Sequence, residues 1–99
     1  METVWVNGVK AKVARTAFAR MKGLIGVKGL PPGEGLLILS CNAIHTCFMS
    51  FAIDATFLDR NDRVVKVVRN IRPWRLFVWG GFRAAKVLET AAAPCGSVL

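Results

Sequence analysis

Asn7-Gly8 constrains this chain more than any other feature. It stands between Val4-Trp5-Val6 and Val9-Lys10-Ala11-Lys12-Val13. Asn-Gly supplies the two positive φ angles of a type I′ turn, and β-branched residues on both sides make the segment a β-hairpin. In the second arm Val9, Ala11 and Val13 alternate with Lys10 and Lys12. One face of that arm is therefore apolar, and the lysines share the wet face.

The rest of the chain extends the same pattern. Leu36-Leu37-Ile38-Leu39 reads as a short buried strand. Ile53, Ala55 and Phe57 then alternate with Asp54, Thr56 and Leu58. Asp59-Arg60-Asn61-Asp62 is a turn, and the valine-rich residues 63–69 return as a strand. Ala84-Ala85-Lys86-Val87-Leu88-Glu89 is read as a further strand. One helix of about two turns is predicted: Thr16 is an N-cap, Ala17 to Lys22 are mostly good helix formers, and Gly23 and Gly26 limit it. Leu30-Pro31-Pro32-Gly33-Glu34-Gly35 must be a loop. The fold class expected is mainly β (α+β with one short helix), as a small β-barrel-like domain or an open β-roll. Residues 1–99 are expected to be a single domain, with 90–99 an irregular tail broken by Pro94 and Gly96.

The composition is that of a folding chain, with 54% hydrophobic and 20% charged residues. No apolar run approaches the ~20 residues a transmembrane helix needs, so no transmembrane segment is expected. Glu2 and the early strand residues do not resemble a signal peptide; a cytoplasmic location is expected, although a mature exported form reads the same. Fourteen Lys and Arg against six acids give a net charge of +8. That balance favours acidic partners: nucleic acid, anionic lipid or phosphorylated ligands. Three cysteines, at 41, 47 and 95, do not make a disulfide framework. They read as buried free thiols.

The chemistry-bearing residues concentrate in 41–59, which holds the one histidine. Cys41, His45 and Cys47 are zinc-ligand types that share a face if the segment is a continuous strand. A fourth ligand is missing, so packing thiols are the preferred reading and neither metal nor cofactor is expected. His45 and Asp54 form the better pair, because a carboxylate can orient an imidazole that shuttles protons. The competing reading is that both simply satisfy backbone groups. Cys47 beside His45 adds a candidate Cys–His dyad. No catalytic residue is assigned; His45, Asp54 and Cys47 are the candidates.

Arg60, Arg63, Lys66, Arg69, Arg72 and Arg75 recur every third residue. Strand alternation would scatter them over both faces, as a solvated edge or, if gathered, an anion site. Trp74, Phe77, Trp79 and Phe82 lie among Arg72, Arg75 and Arg83. Interfaces, stacking platforms and membrane-surface segments all enrich these types. The alternative is that Trp74 and Phe77 plug the core.

Ile44-His45-Thr46, Met49, Ile53-Asp54, Phe57-Leu58-Asp59 and Val64-Val65-x-Val67 resemble domain-of-unknown-function family 192, a group of small bacterial and archaeal proteins. Ala17 to Arg20, Gly23-Leu24, Gly33-Glu34-Gly35-Leu36, Pro73-Trp74 and Val87-Leu88-Glu89 agree with it. The resemblance implies a compact β-rich fold and no established activity. Cys47 departs from the aromatic or apolar residue expected there. The family's final strand is not recognisable in 90–99, which would leave an edge open to an edge-strand dimer.

These readings converge on a non-catalytic binding module for a small anionic ligand or a protein partner. Its expected ligand-binding residues are His45, Met49, Asp54, Arg72, Trp74 and Arg75. The alternatives are a hydrolase-like or metal-assisted enzyme using His45 and Asp54, and an anionic membrane-surface or nucleic-acid binder, with nucleic acid the less favoured.

Overall fold

The computed structural model describes residues 2–15 and 24–92. They form eight strands: β1 (Thr3–Val6), β2 (Val9–Ala14), β3 (Glu34–Leu39), β4 (Ala43–Ile44), β5 (Ile53–Leu58), β6 (Val64–Ile71), β7 (Val78–Trp79) and β8 (Lys86–Ala91). Six of them make one sheet in the order β1-β2-β3-β8-β5-β6, while β4 and β7 pair as a separate two-stranded ribbon. The fold is mainly β, and its sheets stay open rather than closing into a barrel. There is no helix among the described residues. The helix expected over 16–22 lies outside them, within the 15–33 connection between β2 and β3. Those two strands pair in parallel, so they need such a crossover.

The hairpin forms as expected. Asn7 and Gly8 take positive φ, 52° and 78°, and β1 pairs antiparallel with β2. Lys10 and Lys12 face water; Ala11 and Val13 are buried. The strand expected over 84–89 is β8, shifted to Lys86–Ala91, so Thr90 and Ala91 belong to the sheet and not to a tail. It lies between β3 and β5 in the middle of the sheet. Residues 93–99 lie outside the described part.

Both faces of the sheet bury apolar side chains. One face gathers Val6, Ala11, Val13, Leu37, Leu58 and Leu88. The other gathers Ile38, Ile53, Ala55, Phe57 and Val87, and on it lie Ile44, Met49 and Val78 from the ribbon and its flanks. The ribbon can lie flat because residue 80 is glycine: a Cβ there would run into the Phe57 ring.

β6 is an edge strand, and its pairing with β5 slips twice, between Ile53 and Ala55 and between Phe57 and Leu58. Each slip places an extra β6 residue against β5 and resets the alternation. The period-three cations still fall on both sides of the sheet: the Lys66 ammonium donates to the Trp79 carbonyl on the ribbon side at 2.8 Å, while Arg69 approaches Asp54 on the other. Arg60, Arg63, Lys66, Arg69, Arg72 and Arg75 are all exposed. At the β5–β6 turn the Asp59 carboxylate accepts from the amides of Asn61 (2.8 Å) and Arg63 (3.0 Å). The Arg63 amide is the larger influence in holding Asp59 below the usual carboxylate range.

Candidate functional site

Residues 42–48 run antiparallel to 74–80. Beyond the β4–β7 pairs, the Gly80 amide donates to the Asn42 carbonyl at 2.7 Å. At the other end the Thr46 amide donates to the Arg75 carbonyl, and the Trp74 amide to the Thr46 carbonyl, both at 2.9 Å. Ile44, Thr46 and Val78 point into the core and are buried. Strand alternation then turns His45 and Cys47 outward on one arm and Phe77 and Trp79 on the other.

Thr46 holds the two arms together. Its side chain is fully buried. Its hydroxyl donates to the Arg72 carbonyl at 2.6 Å and accepts from the Arg75 amide at 2.9 Å. This bracket fixes the turn that carries Trp74. Trp74 sits at φ 71° and Phe48 at φ 64°, a left-handed backbone that bulky residues rarely adopt. Such strain costs on the order of 1–3 kcal/mol and persists only where neighbouring contacts over-determine it. The two rings meet edge-on, with centroids 4.7 Å apart. Trp79 and Phe82 form a second edge-on pair at 4.8 Å.

The outcome is an exposed apolar surface. Phe48, Trp74, Leu76, Phe77, Trp79 and Phe82 are all exposed, Phe82 at 92% and Leu76 at 81%. Trp74 and Phe77 therefore do not plug the core; Val78, the residue after Phe77, enters it instead. Arg72 and Arg75 are exposed in the loop before β7, and Arg83 in the loop after it. The side chains of Arg72 and Arg75 make no ion pair among the described residues.

The residues singled out from the sequence come together only in part. His45, Trp74 and Arg75 belong to the ribbon surface, and Arg72 stands at its margin. Met49 points into the core and is 6% exposed. Asp54 lies on the opposite face of β5 from Ile53 and Ala55, which pack beneath the ribbon. Its Oδ1 accepts from the Asn70 amide at 2.8 Å, and its Oδ2 lies 3.7 Å from the Arg69 guanidinium. No hydrogen bond joins His45 and Asp54 among the described residues. The His45 Nδ1 instead accepts from the Cys47 amide at 3.2 Å.

Nor is the segment 41–47 one continuous strand. β4 is two residues long, and Cys41, packed against the core, does not join the outward-facing His45 and Cys47. The Cys41 thiol meets the Ala43 carbonyl at 3.0 Å, and the Cys47 thiol approaches the Arg75 carbonyl at 3.8 Å. Among the described residues no three His, Cys, Asp or Glu side chains converge as a metal site would require.

Two residues of consequence escaped the sequence reading. Thr46 carried no signal beyond its place beside His45. Glu89 is 2% exposed on the ribbon-covered face, flanked by Leu36 and Ala55 across the sheet. Its Oε1 has no hydrogen-bond partner among the described residues, and burial pushes its carboxyl up to about 7. The only clue was one acid directly after Val87 and Leu88.

A family profile, DUF192, described as uncharacterized ACR, matches residues 2–96. The chain belongs to the DUF192 family. Two solved structures share the fold. One is a protein of unknown function from Novosphingobium aromaticivorans DSM 12444, with TM-score 0.78 and 21% identity over 92% of this chain and 71% of that one. The other is a candidate transcription regulator from Sinorhizobium meliloti 1021, with TM-score 0.78 and 16% identity over 91% of this chain and 78% of that one. At these identities the likeness concerns the fold alone. No curated protein matches this DUF192 chain. No helix among its described residues is long and apolar enough to cross a membrane.

Proposed function

We propose that this DUF192 domain is a non-catalytic binding module whose binding surface is the outer face of the β4–β7 ribbon and its flanking loops. The ligand is anionic. One observation carries the reading: six large apolar side chains of the ribbon and its flanking loops are exposed, four of them paired as Phe48–Trp74 and Trp79–Phe82, in segments whose arginines have no acidic neighbour in sequence. Contiguous exposed apolar surface on a small domain marks an interaction site. The strained Phe48 and Trp74 backbones, held by Thr46, are the kind of built-in cost found at ligand clamps. An acid–base reading of His45 with Asp54 has less support, since the sheet separates them.

Trp74 and Trp79 report on this surface directly. Titration with inositol hexakisphosphate, a phosphoserine peptide, an oligonucleotide and anionic vesicles should shift tryptophan emission for at least one probe. An Arg72→Ala/Arg75→Ala variant should lose that shift. If none of the probes moves the emission beyond a matched salt control, the reading is wrong.

A further inference from the structure

We infer that the partner of the ribbon surface is an anionic phospholipid bilayer. Leu76, Phe77 and Phe82 enter the headgroup region while Arg72, Arg75 and Arg83 bind lipid phosphates. This rests on the binding-module reading above and names its partner.

Three features favour a bilayer. The first is how far the apolar side chains stand out. Leu76 is 81% exposed, Phe77 65% and Phe82 92%. Side chains this exposed on loops can enter a soft interface without a preformed pocket.

The second is the mixture of side chains. Interfacial segments combine Trp, Phe and Leu with a basic polar margin. A nucleic-acid platform would instead offer free ring faces to successive bases. Here Phe48 with Trp74, and Trp79 with Phe82, pack edge to face at interplanar angles of 60° and 88°. Each pair spends a ring face internally, and Leu76 has none to offer.

The third is charge. Neither 42–53 nor 63–88 contains an Asp or Glu, while 63–88 contains Arg63, Lys66, Arg69, Arg72, Arg75, Arg83 and Lys86. Arg69 approaches Asp54, Lys86 pairs with Asp62 and Arg83 lies within electrostatic reach of Asp59, but Arg72 and Arg75 keep their charge unpaired among the described residues. An excess of basic residues around an exposed apolar segment is what an anionic leaflet attracts.

The test is co-sedimentation of the whole chain with vesicles of phosphatidylcholine alone and of phosphatidylcholine mixed with phosphatidylglycerol, at low and raised salt. The expected result is binding to the mixed vesicles with a blue shift of tryptophan emission, weakened by salt. Each Arg→Gln change at 72, 75 or 83 should lower partitioning about fivefold. A Leu76→Ser/Phe77→Ser/Phe82→Ser variant should lose the blue shift while its circular dichroism and melting midpoint stay those of the parent. Absence of vesicle binding, or binding and blue shift undiminished in the triple serine variant, overturns the inference. Binding of a soluble anion or a single-stranded oligonucleotide without vesicle binding overturns the lipid assignment and leaves the binding module standing. Silence toward every probe overturns both.

Discussion

The Thr46 hydroxyl donates to the Arg72 carbonyl at 2.6 Å, across 26 residues of sequence. The same oxygen accepts from the Arg75 amide. One small side chain thus closes the turn that presents Trp74, and it joins the two loops that make the candidate binding surface.

Thr46→Val keeps the shape and removes both hydrogen bonds. It leaves a buried amide and a buried carbonyl without their partner, at about 1–3 kcal/mol. Urea unfolding should show that loss, and Thr46→Ser should restore most of it. Because the turn relaxes, the valine variant should also bind the anionic probe more weakly than the serine variant. Equal stability of the valine and parent proteins would show that the bracket contributes nothing.

Gly80 lies against the Phe57 ring with no room for a Cβ. Gly80→Ala should therefore lift the ribbon off the sheet and cost about 1–3 kcal/mol, the usual range for overpacking. Pairing it with Phe57→Leu should recover part of the loss. The check is the melting midpoint of the single and double variants.

Glu89 gives stability a pH dependence. Its folded-state carboxyl titrates at about 7, above the ordinary glutamate value, because burial disfavours the charge. Below the ordinary value both folded and unfolded chains hold the proton, and the contribution is fully present. Between that value and about 7 the unfolded chain has released its proton while the folded chain keeps it. Stability therefore falls as pH rises through this window and levels off above it, by on the order of 3 kcal/mol in all. Glu89→Gln should flatten that slope in urea unfolding measured from about pH 5 to about pH 8. A slope unchanged in the glutamine variant would assign the effect elsewhere.

His45 and Asp54 should behave independently. His45 is exposed, and Asp54 supports the β6 bulge through the Asn70 amide. Asp54→Ala should cost about 1–3 kcal/mol, as an unsatisfied buried amide does. His45→Ala should change stability by less than about 0.5 kcal/mol, as surface substitutions do. The double variant should be additive, since the sheet stands between the two. Coupling between them in a double-mutant cycle would restore the pair.

Much of the local structure was legible. Asn7-Gly8 can hardly be anything but a tight hairpin, and the alternation over Ile53–Leu58 announced both the strand and its buried side chains. The family resemblance drew on Ile53-Asp54 and Phe57-Leu58-Asp59 in and directly after that strand, together with Ile44-His45-Thr46 and Met49 before it. The site was legible only as a collection. Trp74, Arg72, Arg75 and His45 could be named, but Met49 and Asp54 were grouped with them by nearness in sequence. Met49 follows the left-handed turn at Phe48 into the core, and Asp54 obeys strand alternation to the far face.

Sequence alone determined the short-range features, because turn chemistry and two-residue periodicity act between neighbours. Tertiary structure alone decided that β8 lies centrally between β3 and β5, that β4 and β7 leave the main sheet to form a ribbon, and that Thr46 brackets Arg72 and Arg75. It also decided that the aromatic loop faces water and not the core. These outcomes depend on which strand surfaces bury each other, and that pairing is a property of the assembled sheet, with no trace in the spacing of any one segment.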